Sequence, residues 1–196
     1  MKNLFTILLL VLFVSNVNAQ DSKFYIGLGA GYATAGGDGV EDGGYENGMY
    51  IKFLDMGLRL NETWGVTLGL ASSGHSVEDV DADDFALGLA SLAIGPMYSV
   101  PMGNMRWDIK PQYAFSYAGA FTGDVAEESG LDDADLKGSG WILGNSLVFG
   151  DGGKGFAWSI DLDYRSGKIT EVDGDDIEDP DPINNFMIGA GVRYNF

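Results

Sequence analysis

The single histidine of the chain, His75, stands beside Ser76 and three residues before Glu78. Imidazole, hydroxyl and carboxylate are the groups of acyl hydrolysis, in which a base must lie within hydrogen-bond reach of the hydroxyl it activates. Neighbouring residues of an extended chain point to opposite faces, and this pair falls in a polar stretch, Ser73 to Asp84, that reads as a loop. A solvent-exposed loop histidine is expected, and lipid modification ranks last among the functions open to the sequence. Just beyond it, Asp79-Val80-Asp81-Ala82-Asp83 carries the alternating carboxylates that begin a calcium loop. Position six is then Asp84 rather than glycine and position twelve is Ala90 rather than glutamate, so the motif fails as an EF-hand. Asp79, Asp81 and Asp83 are left as candidates for loose calcium or magnesium contact, and no other cofactor is expected. The chain has no cysteine, which removes disulfides, thiol catalysis and thiolate metal sites.

A second set of reactive groups is spread along the sequence. Asp55, Arg59, Arg106, Asp108, Lys110, Asp161, Asp163, Arg165 and Arg193 each sit on a stretch where every second residue is bulky and apolar, and each takes the other parity. Four acids against five bases is close to balance. Charges held together away from water persist when they are paired and hydrogen-bonded, so the expectation is an ion-pair network filling an interior.

The elements that would hold such a network are strands. Asn185 to Phe196 places Phe186, Ile188, Ala190, Val192, Tyr194 and Phe196 on one face, against Met187, Gly189, Gly191, Arg193 and Asn195 on the other. The apolar face is unbroken and the other carries arginine and glycine, as in a strand with lipid outside and polar side chains within. The same alternation gives Ser22 to Ala33, Met49 to Leu60, Thr63 to Ser72, Phe85 to Ser99, Met105 to Tyr117, Ser139 to Gly150 and Phe156 to Arg165. Lys52 falls outward near a loop end, where it would snorkel. The fourth stretch changes phase, since Leu87 and Leu89 share one parity and Leu92, Ile94 and Tyr98 the other; a bulge near Ser91 would set all of them outward. Pro111 in the fifth marks a local ladder defect, Tyr117 is read outward, and Asn145 in the sixth stands on the apolar face.

Connections alternate long and short, and the long ones hold most of the acid. Thr34 to Gly48, Ser73 to Asp84, Ala118 to Gly138 and Gly167 to Asn184 contain 22 of the 29 Asp and Glu residues of a chain with net charge -18. Such loops repel nucleic acid and other polyanions. The fold expected is all-β: an eight-stranded antiparallel up-and-down transmembrane barrel with short periplasmic turns and long acidic extracellular loops. Trp64, Trp107, Phe156, Trp158, Tyr194 and Phe196 lie outward near the short-turn ends, as an interfacial girdle would. Met1 to Asn3, the apolar run Leu4 to Val14 and Val17-Asn18-Ala19 read as a secretory signal peptide over residues 1–19, cleaved to leave a barrel domain over 20–196.

The terminal Gly-Ala-Gly-Val-Arg-Tyr-Asn-Phe and the Phe-Tyr-Ile-Gly-Leu-Gly-Ala-Gly-Tyr that follows the signal resemble the small outer-membrane barrel superfamily of OmpA-like, OmpX-like and OmpW-like proteins. The resemblance spans the mature chain. It implies residence in the outer membrane of a Gram-negative bacterium beside lipid and lipopolysaccharide. It also implies insertion by the barrel-assembly machinery with Phe196 as the terminal signal, and it brings no catalytic residue. Eight strands enclose little more than their own side chains, so the function expected is non-enzymatic: a plugged lumen and a structural or surface-interaction role, with an extracellular partner that the sequence leaves unnamed. The alternative is a narrow channel for small or hydrophobic solutes.

Overall fold

The computed structural model describes residues 23–37, 44–77, 86–129, 134–150 and 153–196. The wall is made of β1 (Phe24–Ala33), β2 (Gly48–Arg59), β3 (Trp64–Ser76), β4 (Ala86–Met102), β5 (Met105–Thr122), β6 (Leu136–Phe149), β7 (Gly155–Val172) and β9 (Pro182–Asn195). A two-residue β8 (Asp175–Asp176) folds back on β7, and a single helical turn and a half, α1 (Asp124–Ser129), follows β5. Each wall strand pairs antiparallel with its neighbours, β9 pairs with both β7 and β1, and the ring is closed with no free edge. The terminal strand therefore joins the first, with Phe196 donating its N–H to the Phe24 carbonyl (3.0 Å).

Alternation puts the large apolar side chains outside. Leu28, Val66, Trp107, Leu143, Trp158, Ile188 and Tyr194 are all exposed on the outer surface, an apolar area that lipid, not water, must cover. At the short-turn end the aromatics touch edge to face: Trp64 on Tyr98 (5.0 Å between ring centroids), Phe156 on Tyr194 (5.1 Å) and Tyr194 on Phe196 (5.0 Å). Toward the loop end, Trp141 packs on Tyr164 (5.3 Å).

Among the described residues three bulges interrupt the ladders; one lies at Thr170 near the loop end of β7, and the other two, in β2 and β5, turn side chains between lipid and lumen. The registers of β2 with β1 and with β3 both slip beside Lys52, leaving Phe53 as the extra residue. Phe53 and Leu54 then both face out, and above them Tyr50 and Lys52 turn inward. In β5 the extra residue lies at Phe115–Ser116, both exposed, so Tyr117 points inward and is buried. The outward readings of Lys52 and Tyr117 are thereby corrected, and Tyr50, which the same alternation along Met49 to Leu60 sets outward, also lies inside. The bulge expected near Ser91 is not in β4, whose odd residues Leu87, Leu89, Ser91, Ala93, Met97 and Ser99 all face in without interruption; the irregularity lies across the ladder in β5. Between Ile94–Tyr113 and Tyr98–Ile109 the β4–β5 pairing lapses, with Pro96 opposite Pro111 in the gap. Neither has an N–H to offer.

Candidate functional site: the barrel interior

The interior falls into layers. At the short-turn end Asp108 is fully buried, and Arg193 Nη1 donates to its Oδ2 (2.7 Å) while Ser99 Oγ donates to its Oδ1 (2.7 Å). Arg106 Nε stands 3.4 Å from Asp108 Oδ1. The Arg193 guanidinium lies over the Tyr25 ring at 4.3 Å, and that of Arg59 lies at 5.7 Å from the same ring. Glycine makes room for this: a Cβ on Gly57 would begin 2.1 Å from the Tyr25 ring.

One layer up, Tyr25 Oη donates to Asp55 Oδ1 (3.2 Å), and Lys110 Nζ donates to Asp55 Oδ2 (3.0 Å). Lys52 Nζ sits 2.8 Å from Asp163 Oδ2 and 3.7 Å from Asp161 Oδ2. Asp161 also accepts from Ser146 and Ser159. Arg165 is wholly buried and points one guanidinium nitrogen at Met187 Sδ (3.6 Å). The space left among Lys52, Asp55, Lys110, Gln112, Asp163 and Arg165 is about 20 Å³, room for a water molecule and little else.

All nine charged residues placed inside by alternation lie within the described residues, and each faces the lumen. Lys52 is the tenth. Strict alternation does not assign it there, because only the bulge at Phe53 turns it inward; its signal in the sequence is that a lysine facing lipid would need a partner or an interface to reach. With Lys52 included, four aspartates (Asp55, Asp108, Asp161, Asp163) meet six cations (Lys52, Arg59, Arg106, Lys110, Arg165, Arg193) among the described residues.

Near the loop end the lining changes character. His75 belongs to β3 rather than to a loop and is buried, 1% exposed, which corrects the expectation of a solvent-exposed histidine. Its Nδ1 lies 3.1 Å from the Glu46 carbonyl, which can only accept, so the ring proton sits on Nδ1. Nε2 then accepts from Ser73 Oγ (3.2 Å) and Asn185 Nδ2 (3.3 Å). Ser76 takes the outward parity and does not meet it. On β3 the outward side chains are Ser72, Gly74 and Ser76 beyond Leu70, so His75 stands above the apolar belt. Burial, and then the positive Arg165, hold its pKa below the usual 6.5 against the opposing backbone bond from Glu46. Beside it, with Leu87 directly across the ladder from His75, Leu87, Leu89, Tyr117 and Ile183 form an apolar cluster with Tyr45, Phe121 and Ile169 against it. The outward reading of Leu87 and Leu89 is corrected here: both face this cluster. A cleft of about 270 Å³ opens from it, bounded also by Leu136, Ile177 and Pro180, with Asp181 at the rim.

Asp79, Asp81 and Asp83 lie outside the described residues. Among the described residues no three His, Cys, Asp or Glu side chains are grouped to hold a metal ion.

A family profile for the outer membrane protein beta-barrel domain matches residues 4–196. The chain belongs to this family. As a member it is an integral barrel of the Gram-negative outer membrane, in contact with that membrane's lipid and lipopolysaccharide. None of the curated proteins matches the sequence. Among solved structures the chain is similar to Neisserial surface protein A, with 15% identity and a TM-score of 0.54 over 91% of this chain and all of that one. It is also similar to Ail, the attachment invasion locus protein of Yersinia pestis (17% identity, TM-score 0.48, 89% of this chain and all of that one). A third is OprG of Pseudomonas aeruginosa (13% identity, TM-score 0.47, 91% of this chain and 99% of that one). At these identities the likeness is one of fold.

Proposed function

We propose that this protein is a closed, non-enzymatic barrel that acts at its outer surface, in envelope integrity or contact with an extracellular partner, and passes nothing through its lumen. The observation that carries the reading is the pair of ion-paired layers at Asp108 and at Lys52, Asp55, Lys110 and Asp163, with about 20 Å³ free among the side chains of the second. Opening a solute path there would separate buried charges, each costing several kcal/mol if left unpaired. The acidic loops and the first apolar cleft of the lumen are what the outside meets.

The cleft favours a second reading, uptake of small hydrophobic solutes, because an apolar recess of about 270 Å³ at a barrel mouth can hold a ligand of a few heavy atoms. Liposome swelling separates the two. Vesicles carrying the protein are expected not to swell in arabinose or in a small neutral amphiphile such as N-acetylvalinamide. Swelling in the amphiphile alone would favour uptake of apolar solutes, and swelling in both would overturn the closed lumen.

A further inference from the structure

The outer wall carries one polar side chain where lipid offers it nothing. Asn145 lies on β6 with Gly144 and Ser146 turned inward on either side, so its carboxamide faces out. Its cross-strand neighbours are Ile109 on β5 and Leu162 on β7, both apolar. Along β6 it stands four residues from Phe149, in the short-turn girdle, and four from Trp141, at the loop end. At roughly 3.3 Å per residue and a tilt near 40°, those aromatics are about 20 Å apart along the membrane normal, which sets Asn145 near the middle of the apolar belt. Its backbone N–H donates to Asp163 Oδ1 (3.2 Å), while the carboxamide makes no hydrogen bond among the described residues. Around it Trp107, Leu143, Leu147, Leu162, Tyr164 and Phe186 outline a groove of about 490 Å³ in the outer wall. One strand farther round, the ladder lapses at Pro96 and Pro111.

From this we infer that the β5–β6–β7 face is an interface with a second copy of the same chain within the membrane. Depth decides the class of partner. Lipid headgroups and glycerol esters lie at the two boundaries and water is absent from the hydrocarbon, so a carboxamide at mid-height finds hydrogen-bonding groups only on another protein. Chemistry decides which protein. A carboxamide is donor and acceptor at once, so two Asn145 side chains related by a two-fold axis satisfy each other, and the apolar groove around each meets the same groove on its partner. The other outward walls carry no comparable polar group at this depth among the described residues.

The chain has no cysteine, so single-cysteine variants report proximity cleanly. With Leu147→Cys, next to Asn145 on the outer face, oxidation in dioleoylphosphatidylcholine vesicles is expected to give a disulfide-linked dimer. Met56→Cys, half-way round the ring on β2, is expected to give none. Adding Asn145→Leu to Leu147→Cys should lower the association constant, read from dimer fraction against lipid dilution, about tenfold, and Asn145→Gln should keep most of it. Asn145→Leu removes a polar group from hydrocarbon, so its unfolding midpoint in urea should be unchanged or higher, which separates lost pairing from lost fold. Equal cross-linking at both cysteine positions, no cross-linking at Leu147→Cys, or a dimer indifferent to Asn145→Leu would overturn the inference.

Discussion

The two ends of the lumen are built on opposite principles. Toward the short turns, Asp108 is enclosed by Arg193, Arg106 and Ser99, and Asp55, Asp161 and Asp163 by Lys110 and Lys52. Toward the loops, Leu87, Leu89, Tyr117 and Ile183 pack on one another beside an open cleft. In the first region each carboxylate is fixed by directional bonds, and losing one partner strands another charge. In the second, cohesion is non-directional and the loss of a side chain enlarges a space that already exists. On the proposed reading, closure belongs to the charged layers and adaptability to the apolar mouth.

Three substitutions or conditions would break or sharpen that contrast, from the largest effect to the smallest. Asp108→Ala leaves Arg193 and Arg106 without their shared carboxylate, and should cost about 3–5 kcal/mol of unfolding free energy, the range for a buried pair broken on one side; equilibrium unfolding in urea from vesicles measures it. Leu89→Ala, read in the same assay, should cost about 2 kcal/mol, the lower end for a buried leucine, because the site borders a cleft. A cost equal to that of Asp108→Ala would erase the distinction between the regions. The smallest effect is in pH. The His75 pKa is held low in the folded barrel, so the folded state resists protonation that the unfolded chain accepts near pH 6.5. Stability is full above that value and falls as pH drops through it. The urea midpoint should therefore decline between pH 7 and pH 5, and His75→Gln should flatten that decline.

Much of this was legible along the chain. Strict alternation identifies the closing strand, the outward aromatics and the inward charges wherever the pleat is regular, because a period of two is all that is needed to sort them. It fails above Phe53 and above Phe115, where one added residue reverses every parity beyond it, and so Lys52, Tyr50 and Tyr117 move from lipid to lumen. Nothing in the local composition marks those bulges: Phe53-Leu54 and Phe115-Ser116 become visible as outward doublets only once the strand registers on both sides are known. Leu87 and Leu89 are misassigned for a different reason. Apolar parity means lipid only if the interior is polar throughout, and near the loops it is not. His75 is read as a loop residue because Ser73, Gly74 and Ser76 look like loop composition, whereas they belong to a strand that continues past the apolar belt.

Single-channel recording in planar bilayers tests most directly whether the charged layers close the barrel. The wild-type protein, inserted and shown to be folded, should give a flat current trace across the range of applied voltage. Stable, reproducible conductance steps from that same protein would mean that ions pass between Lys52, Asp55, Lys110 and Asp163, and that the lumen is a pathway rather than a plug.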